Sequence, residues 1–113
     1  MTELYEPDSG HLIWTDFDPR VGREQSGRRP ALVVSPVAFW QASRFVIVCP
    51  ITSTIRPFGT SVVLPQGLAV AGEVLTSHVR SIDTLARPIR FIGLVPAPVL
   101  TETRAKLGAI IGV

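Results

Sequence analysis

Four of the chain's ten arginines, Arg20, Arg23, Arg28 and Arg29, lie in the stretch "RVGREQSGRRP", which also carries Glu24. A second polar group, Thr52, Ser53 and Thr54, follows directly on the apolar run "VIVCPI". A guanidinium presents a planar fork of donors that matches two phosphate oxygens at once, and a hydroxyl adds one further hydrogen bond to the same group. A glutamate beside them is ionised at neutral pH and can accept a proton. Arginine, hydroxyl and carboxylate together suit the handling of a phosphodiester. Each also has a plainer use. Arg29 can anchor its loop to Asp16 or Asp18, and Thr52 can end a strand through a hydroxyl-to-backbone hydrogen bond. Arg23 and Arg28 suit phosphate contacts that fix position without reading sequence.

Other chemistries lack their residues. The chain has no GxxxxGK[ST], GxGxxG, CxxC or HExxH pattern. Its two histidines, His11 and His78, stand far apart beside a single cysteine, a poor set of ligands for zinc. No metal and no cofactor are expected. Cys49 lies alone inside "FVIVCP", which excludes a disulfide framework and reads as a buried, inert thiol. The basic residues are ten arginines and Lys106, yet the net charge is only +2. The chain is therefore no general polycation, and any nucleic-acid contact rests on the arginine cluster. The start "MTELYEPDSG" is acidic and lacks a signal-peptide pattern, and no apolar run reaches the length of a membrane span. A reduced, cytoplasmic protein is the expectation.

The elements that must carry these residues are short. With 113 residues, 46% hydrophobic and 18% charged, the chain suits one domain, residues 1–113, with apolar surface left for pairing with a second copy. "HLIWTDF", "PALVVSP" and "RFVIVCPI" read as strands, followed by "SVVLP", "GEVLTSHVRSID" and "IRFIGLVP". "RPFG" and "PQGLAVAG" read as turns, and the spacing predicts a compact antiparallel barrel. Ten prolines argue against long helices except at the end. There "PVLTETRAKLGAI" places Leu100, Leu107, Ile110 and Ile111 on one stripe and predicts a helix over Pro98–Ile111. The polar loop Asp18–Arg29 is longer than a hairpin needs, and its glycines Gly22 and Gly27 allow it to open and close. On the first strand Trp14 is expected inside, while Phe17, at the root of the loop, is a candidate to stack on a base.

In order, "GHLIWTDFDPRVGREQSGRRPALVVSP", "VIVCPITST" and "VRSID" resemble the MazF/PemK toxins of bacterial toxin-antitoxin pairs, along essentially the whole chain. The G-x-E-Q-x-G-x-R-P signature, the P-x-T strand end and the [RK]-[ST]-x-D run stand in the family's order. The resemblance implies a mainly β, SH3-like small barrel with a C-terminal helix, forming a homodimer. It implies a metal-independent, sequence-specific endoribonuclease of single-stranded RNA, inhibited by a cognate MazE-like antitoxin. It places the catalytic arginine on Arg29, the catalytic threonine on Thr52 and an activity-linked loop acid on Glu24. His11 stands where the family often has Asp after Gly, and His78 where Gln is common; the second departure bears on base recognition. Phe17, Arg23, Arg28, Ser53, His78 and Arg80 complete the candidate RNA contacts, and Arg80 with Asp83 also suits structural support.

Cleaving RNA without a metal uses the ribose 2'-OH as the internal nucleophile. The protein must take that proton, protonate the leaving 5'-oxygen and stabilise the crowded phosphorane. Holding a guanidine neutral at pH 7 against a pKa of about 12.5 costs roughly 7 kcal/mol. Glu24 is therefore the better base or orienter, with Arg29 and Thr52 as stabilisers. Two other functions fit the same barrel. One is gyrase poisoning in the manner of the CcdB toxins, which use a tryptophan near the last residue where this chain ends "GAIIGV". The other is a non-catalytic RNA-binding module. In every case a cationic, partly apolar groove attracts an acidic, disordered tail such as an antitoxin's.

Overall fold

The computed structural model describes residues 4–17, 28–57 and 59–113. Within them the elements are β1 His11–Asp16, β2 Arg28–Val33, α1 Val37–Ser43, β3 Phe45–Thr52, β4 Ser61–Val63, β5 Glu73–Leu75, β6 Arg80–Asp83, β7 Arg90–Leu94 and α2 Ala97–Ile111. A single 3-10 turn, Thr76–His78, links β5 to β6. The strands pair in the order β4-β5-β3-β2-β1-β7, with β6 also on β3. The two ends of this order, β4 and β7, do not pair, so the expected barrel is not closed by hydrogen bonds.

The hub is β3. One edge takes β2, with Ala31 opposite Pro50, Leu32 opposite Cys49 and Val33 opposite Val48. The other edge takes β6 along Phe45–Val48 and β5 at Ile51 and Thr52. The changeover falls on Cys49 and Pro50, and proline, having no N–H to offer, suits a position where a strand passes from one partner to the next.

Both faces of this sheet are covered, so β1 does not alternate simply between apolar and polar. Leu12, Leu32, Cys49, Ile51 and Val74 form one buried cluster, against which Leu100 and Leu107 of α2 pack. Ile13, Phe17, Ala31, Val33, Val46, Val48 and Ile82 form the other. Cys49 is buried, and burial pushes its thiol up to about 12, as befits an inert core residue.

The run "GEVLTSHVRSID", expected as one strand, is β5, the 3-10 turn and β6, because its two halves pair with different stretches of β3. The helix α1 was not expected. It begins directly after Pro36 and ends at Arg44, whose left-handed backbone (φ 63°) turns its N–H back to the Trp40 carbonyl. Its buried residue, Trp40, donates through Nε1 to Thr84 Oγ1 at 3.0 Å. The terminal helix begins one residue earlier than expected, at Ala97. Its buried line is Val99 and Thr103, with Leu107 partly covered, whereas Ile110 and Ile111 are 42% and 67% exposed. Successive i, i+4 positions drift about 40° around a helix, and that drift carries the last turn off the sheet. Polar contacts fasten the helix: Arg104 donates to Ser9 Oγ and the Val34 carbonyl, and Lys106 donates to the Ser61 carbonyl.

Gly72 precedes β5 at φ +143°, and a Cβ built on it would lie 2.3 Å from the Thr52 carbonyl oxygen. Only glycine lets β5 approach β3 at this point. Gly72→Ala is expected to lower stability by about 3 kcal/mol, the sum of strain and a backbone clash, and chemical denaturation monitored through tryptophan fluorescence measures it.

Candidate functional site

The ends of β1, β2 and β3 meet at one groove. Cross-strand pairing sets Thr15 opposite Arg29 and Asp16 opposite Arg28. The β2–β3 pairing ends at Ala31 opposite Pro50, and Arg29 and Thr52 each lie two residues beyond it. Thr52 in turn faces Glu73 on β5. Residues directly opposite one another share a sheet face, so Thr15 shares one with Arg29 and Thr52 shares one with Glu73.

The groove has a volume of about 390 Å³ and is lined by Trp14, Arg28, Arg29, Ile51 and Ser53, with residues 69–71 on its far wall. Arg28 and Ser53 are exposed and Arg29 is half-buried. Thr52 lies between the lining residues Ile51 and Ser53; its Oγ1 accepts the Thr54 N–H at 3.2 Å. That bond ends the strand, as one reading of the sequence had it, and it uses an acceptor lone pair while leaving the hydroxyl proton to donate. Glu73 is 1% exposed, and its Oε2 accepts the Arg56 N–H at 3.1 Å. A buried carboxylate thus holds the turn that follows Thr52.

The expected site is only partly assembled. Arg28, Arg29 and Ser53 are brought together, with Thr52 beside them. Arg23 and Glu24 lie outside the described residues. The loop expected as Asp18–Arg29 ends earlier, because Arg28 and Arg29 already belong to β2. Phe17 is not a stacking platform: it is 0% exposed, on the core face with Ile13, and the Arg80 guanidinium lies 5.2 Å from its ring centroid. Arg80 therefore has a packing partner in Phe17. His78 sits half-buried on the 3-10 turn, and neither it nor Arg80 lines the groove.

The aromatic residue at the groove is Trp14, expected inside but half-buried at the lip, with Arg28 5.9 Å from its ring centroid. The strand's alternation carried the signal. Trp14 shares a face with Leu12 and Asp16, so it stands where that face passes from core to solvent. Glu73 was missed because nothing local to "AGEVL" marks a carboxylate as buried; its burial comes from the turn folded over it.

Among the described residues, no group of three or more His, Cys, Asp and Glu side chains comes together that could hold a metal ion, and no helix is long and apolar enough to cross a membrane. A small, mainly β protein with an arginine-edged groove and hydroxyls beside it carries groups that suit a phosphate. Residues 8–111 match the family described as PemK-like, MazF-like toxin of type II toxin-antitoxin system, and the chain belongs to that family. It is 38% identical over 112 residues to the endoribonuclease toxin MazF of Escherichia coli K12, covering 99% of this chain and all of that one. Its fold superposes on MazF of Deinococcus radiodurans with a TM-score of 0.92 at 45% identity, covering 96% of this chain and 99% of that one. A MazE–MazF complex of the same organism gives 0.84 at 41% identity, over 96% of this chain and 98% of the matched one.

His11, one of the two departures from the family pattern, lies away from the groove. Its Nδ1 accepts from Tyr5 Oη at 2.6 Å, and its ring packs against Tyr5 and Phe91. Burial lowers its pKa, against a smaller opposing effect of Asp8. The folded chain therefore resists the proton that the unfolded chain takes up near pH 6.5. Stability is expected to be full above that pH and to fall as the pH drops below it toward the lower folded-state value. His11→Gln flattens this part of the curve, as read by urea midpoints between pH 8 and pH 5.

Proposed function

We infer that this protein is the endoribonuclease toxin of a toxin-antitoxin pair, a single domain over residues 1–113 that cuts single-stranded RNA in the cytoplasm at a preferred sequence and without a metal. The observation that supports this reading is the groove of about 390 Å³ edged by Arg28, Arg29 and Ser53, with Thr52 beside Ser53 at the end of β3. In the reaction, the 2'-oxygen loses its proton and attacks the adjacent phosphorus. The bond from phosphorus to the 5'-oxygen then breaks and that oxygen takes up a proton. The products are a 2',3'-cyclic phosphate and a 5'-hydroxyl. Arg29 holds the nonbridging oxygens as negative charge builds, and the Thr52 hydroxyl donates to the same phosphate. Glu24 accepts or orients the 2'-OH proton. Arg28 and Ser53 fix the backbone on either side.

Named relatives of this chain are endoribonucleases at 38% and 33% identity across most of their length, which supports the same activity here. The Deinococcus relative is found with MazE, and a corresponding acidic antitoxin fits the arginine-edged groove by charge. Exposed Phe91, Leu94, Ile111 and Val113 supply apolar surface for a homodimer.

Purified protein incubated with a long RNA in excess EDTA is expected to cut at discrete sites and leave cyclic phosphate ends. Arg29→Ala and Thr52→Ala are each expected to slow single-turnover cleavage about 10²- to 10³-fold, and Glu24→Gln about 10²-fold, with unchanged circular dichroism. RNA bound but left intact by the folded protein would favour a binding module, and a protein that ignores RNA but arrests gyrase would favour the poison.

A further inference from the structure

A carboxylate is buried on the side of the sheet where the chain has least reason to bury one. Along β5, Val74 lies opposite Ile51 of β3 and Val62 of β4, and all three belong to one core cluster. Glu73, the residue before it, therefore points to the other face, where its cross-strand neighbours are Thr52 on β3 and Val63 on β4. Val63 is 44% exposed there, whereas Glu73 is 1% exposed.

Burying a carboxylate costs free energy that a β-branched apolar side chain at the same strand position avoids. What the carboxylate supplies is an acceptor. Its Oε2 accepts the Arg56 N–H at 3.1 Å, beyond the bend at Ser53 and Thr54. The segment from Thr52 to Arg56 is thus tied to one residue at both ends, by the ladder pair of Thr52 with Glu73 and by the Glu73 carboxylate on the Arg56 amide. Within that closed segment the Thr54 N–H donates to Thr52 Oγ1 at 3.2 Å. The bond occupies a lone pair of the hydroxyl and so limits the directions in which its proton can point.

We propose that Glu73 is a positioning residue for RNA cleavage: through the Arg56 amide it fixes the bend whose Thr54 N–H orients the Thr52 hydroxyl toward the cut phosphate. Glu73 does not line the groove, and its carboxylate acts on the RNA only through Thr52. Reach decides the role more than charge does, since a side chain shorter by one carbon–carbon bond holds its acceptor back by about 1.5 Å. The assignment rests on the endoribonuclease reading and adds to it a residue outside the groove.

The test uses the full chain and reads single-turnover cleavage and RNA affinity separately, the latter with an RNA carrying 2'-deoxyribose at the mapped cut site so that it binds without being cut. Glu73→Gln keeps an acceptor of the same reach and is expected to hold the cleavage rate within about threefold. Glu73→Asp keeps the charge and loses the reach; it is expected to slow cleavage about 10- to 100-fold, as displaced groups do, with affinity for the uncut RNA unchanged. In Glu73→Asp the Arg56 amide is expected to exchange faster with solvent, while Glu73→Gln leaves it protected. With Thr52 already replaced by alanine, Glu73→Asp costs no more than about twofold further, because its effect passes through the missing hydroxyl. Thr54→Pro removes the other link of the relay at an exposed position, and it is expected to match the loss seen in Glu73→Asp, which decides the matter if the aspartate variant does not fold. Equal losses in the presence and absence of the Thr52 hydroxyl, a loss shared by Gln and Asp, a loss confined to affinity, or a Thr54→Pro protein that cuts at the unaltered rate each overturn the role. An unaltered protein that binds RNA and leaves it intact overturns the endoribonuclease reading itself, an outcome distinct from an active protein whose Glu73→Asp variant cuts as fast.

Discussion

The antiparallel register of β2 on β3 governs where every polar group of the groove stands. Ala31, Leu32 and Val33 are matched to Pro50, Cys49 and Val48, and these are buried residues whose slip by one position would turn each side chain to the opposite face. The apolar match therefore sets the end of the sheet to which β2 brings Arg29 and β3 brings Thr52. Arg29 and Thr52, far apart in sequence, lie at the same end of the sheet because the core beside them permits only one alignment. Flanking pairs extend the constraint, with Thr15 on β1 opposite Arg29 and Glu73 on β5 opposite Thr52.

That dependence explains why glycine and a buried acid border the site. Gly72 lets β5 come against the Thr52 carbonyl, and Glu73 then reaches the Arg56 amide and holds the turn carrying Ser53 and Thr54. The turn is exposed, so its shape has to be set from beneath. In the proposed reaction, groups held in place at a sheet edge would need little reorganisation as charge builds.

Much of the fold could be read from residue order. The β-branched runs around Leu32, Val48 and Val62 marked strands, and the apolar spacing near the end marked α2. The misreadings share one physical origin: they needed the third dimension. Phe17 and Trp14 were assigned to the wrong sides because a sheet covered on both faces buries neighbouring residues such as Leu12 and Ile13 alike, which hides the period of two. The helix α1 is a single short segment after a proline, and its left-handed Arg44 carries no glycine to announce it. Arg29 and Thr52 were singled out because family motifs surround them. Glu73 was not, since it matters through a neighbour on another strand.

We propose that Arg29 and Thr52 act on one phosphate at the end of the sheet where β2 begins and β3 ends. A double-mutant cycle on single-turnover RNA cleavage, with Arg29→Ala, Thr52→Ala and the pair, tests it directly. If both groups hold the same phosphate, either substitution alone removes most of what the pair removes, and the combined loss falls well short of the product of the two. Losses that multiply independently would mean that the two residues serve separate steps or separate phosphates, and the shared site would have to be abandoned.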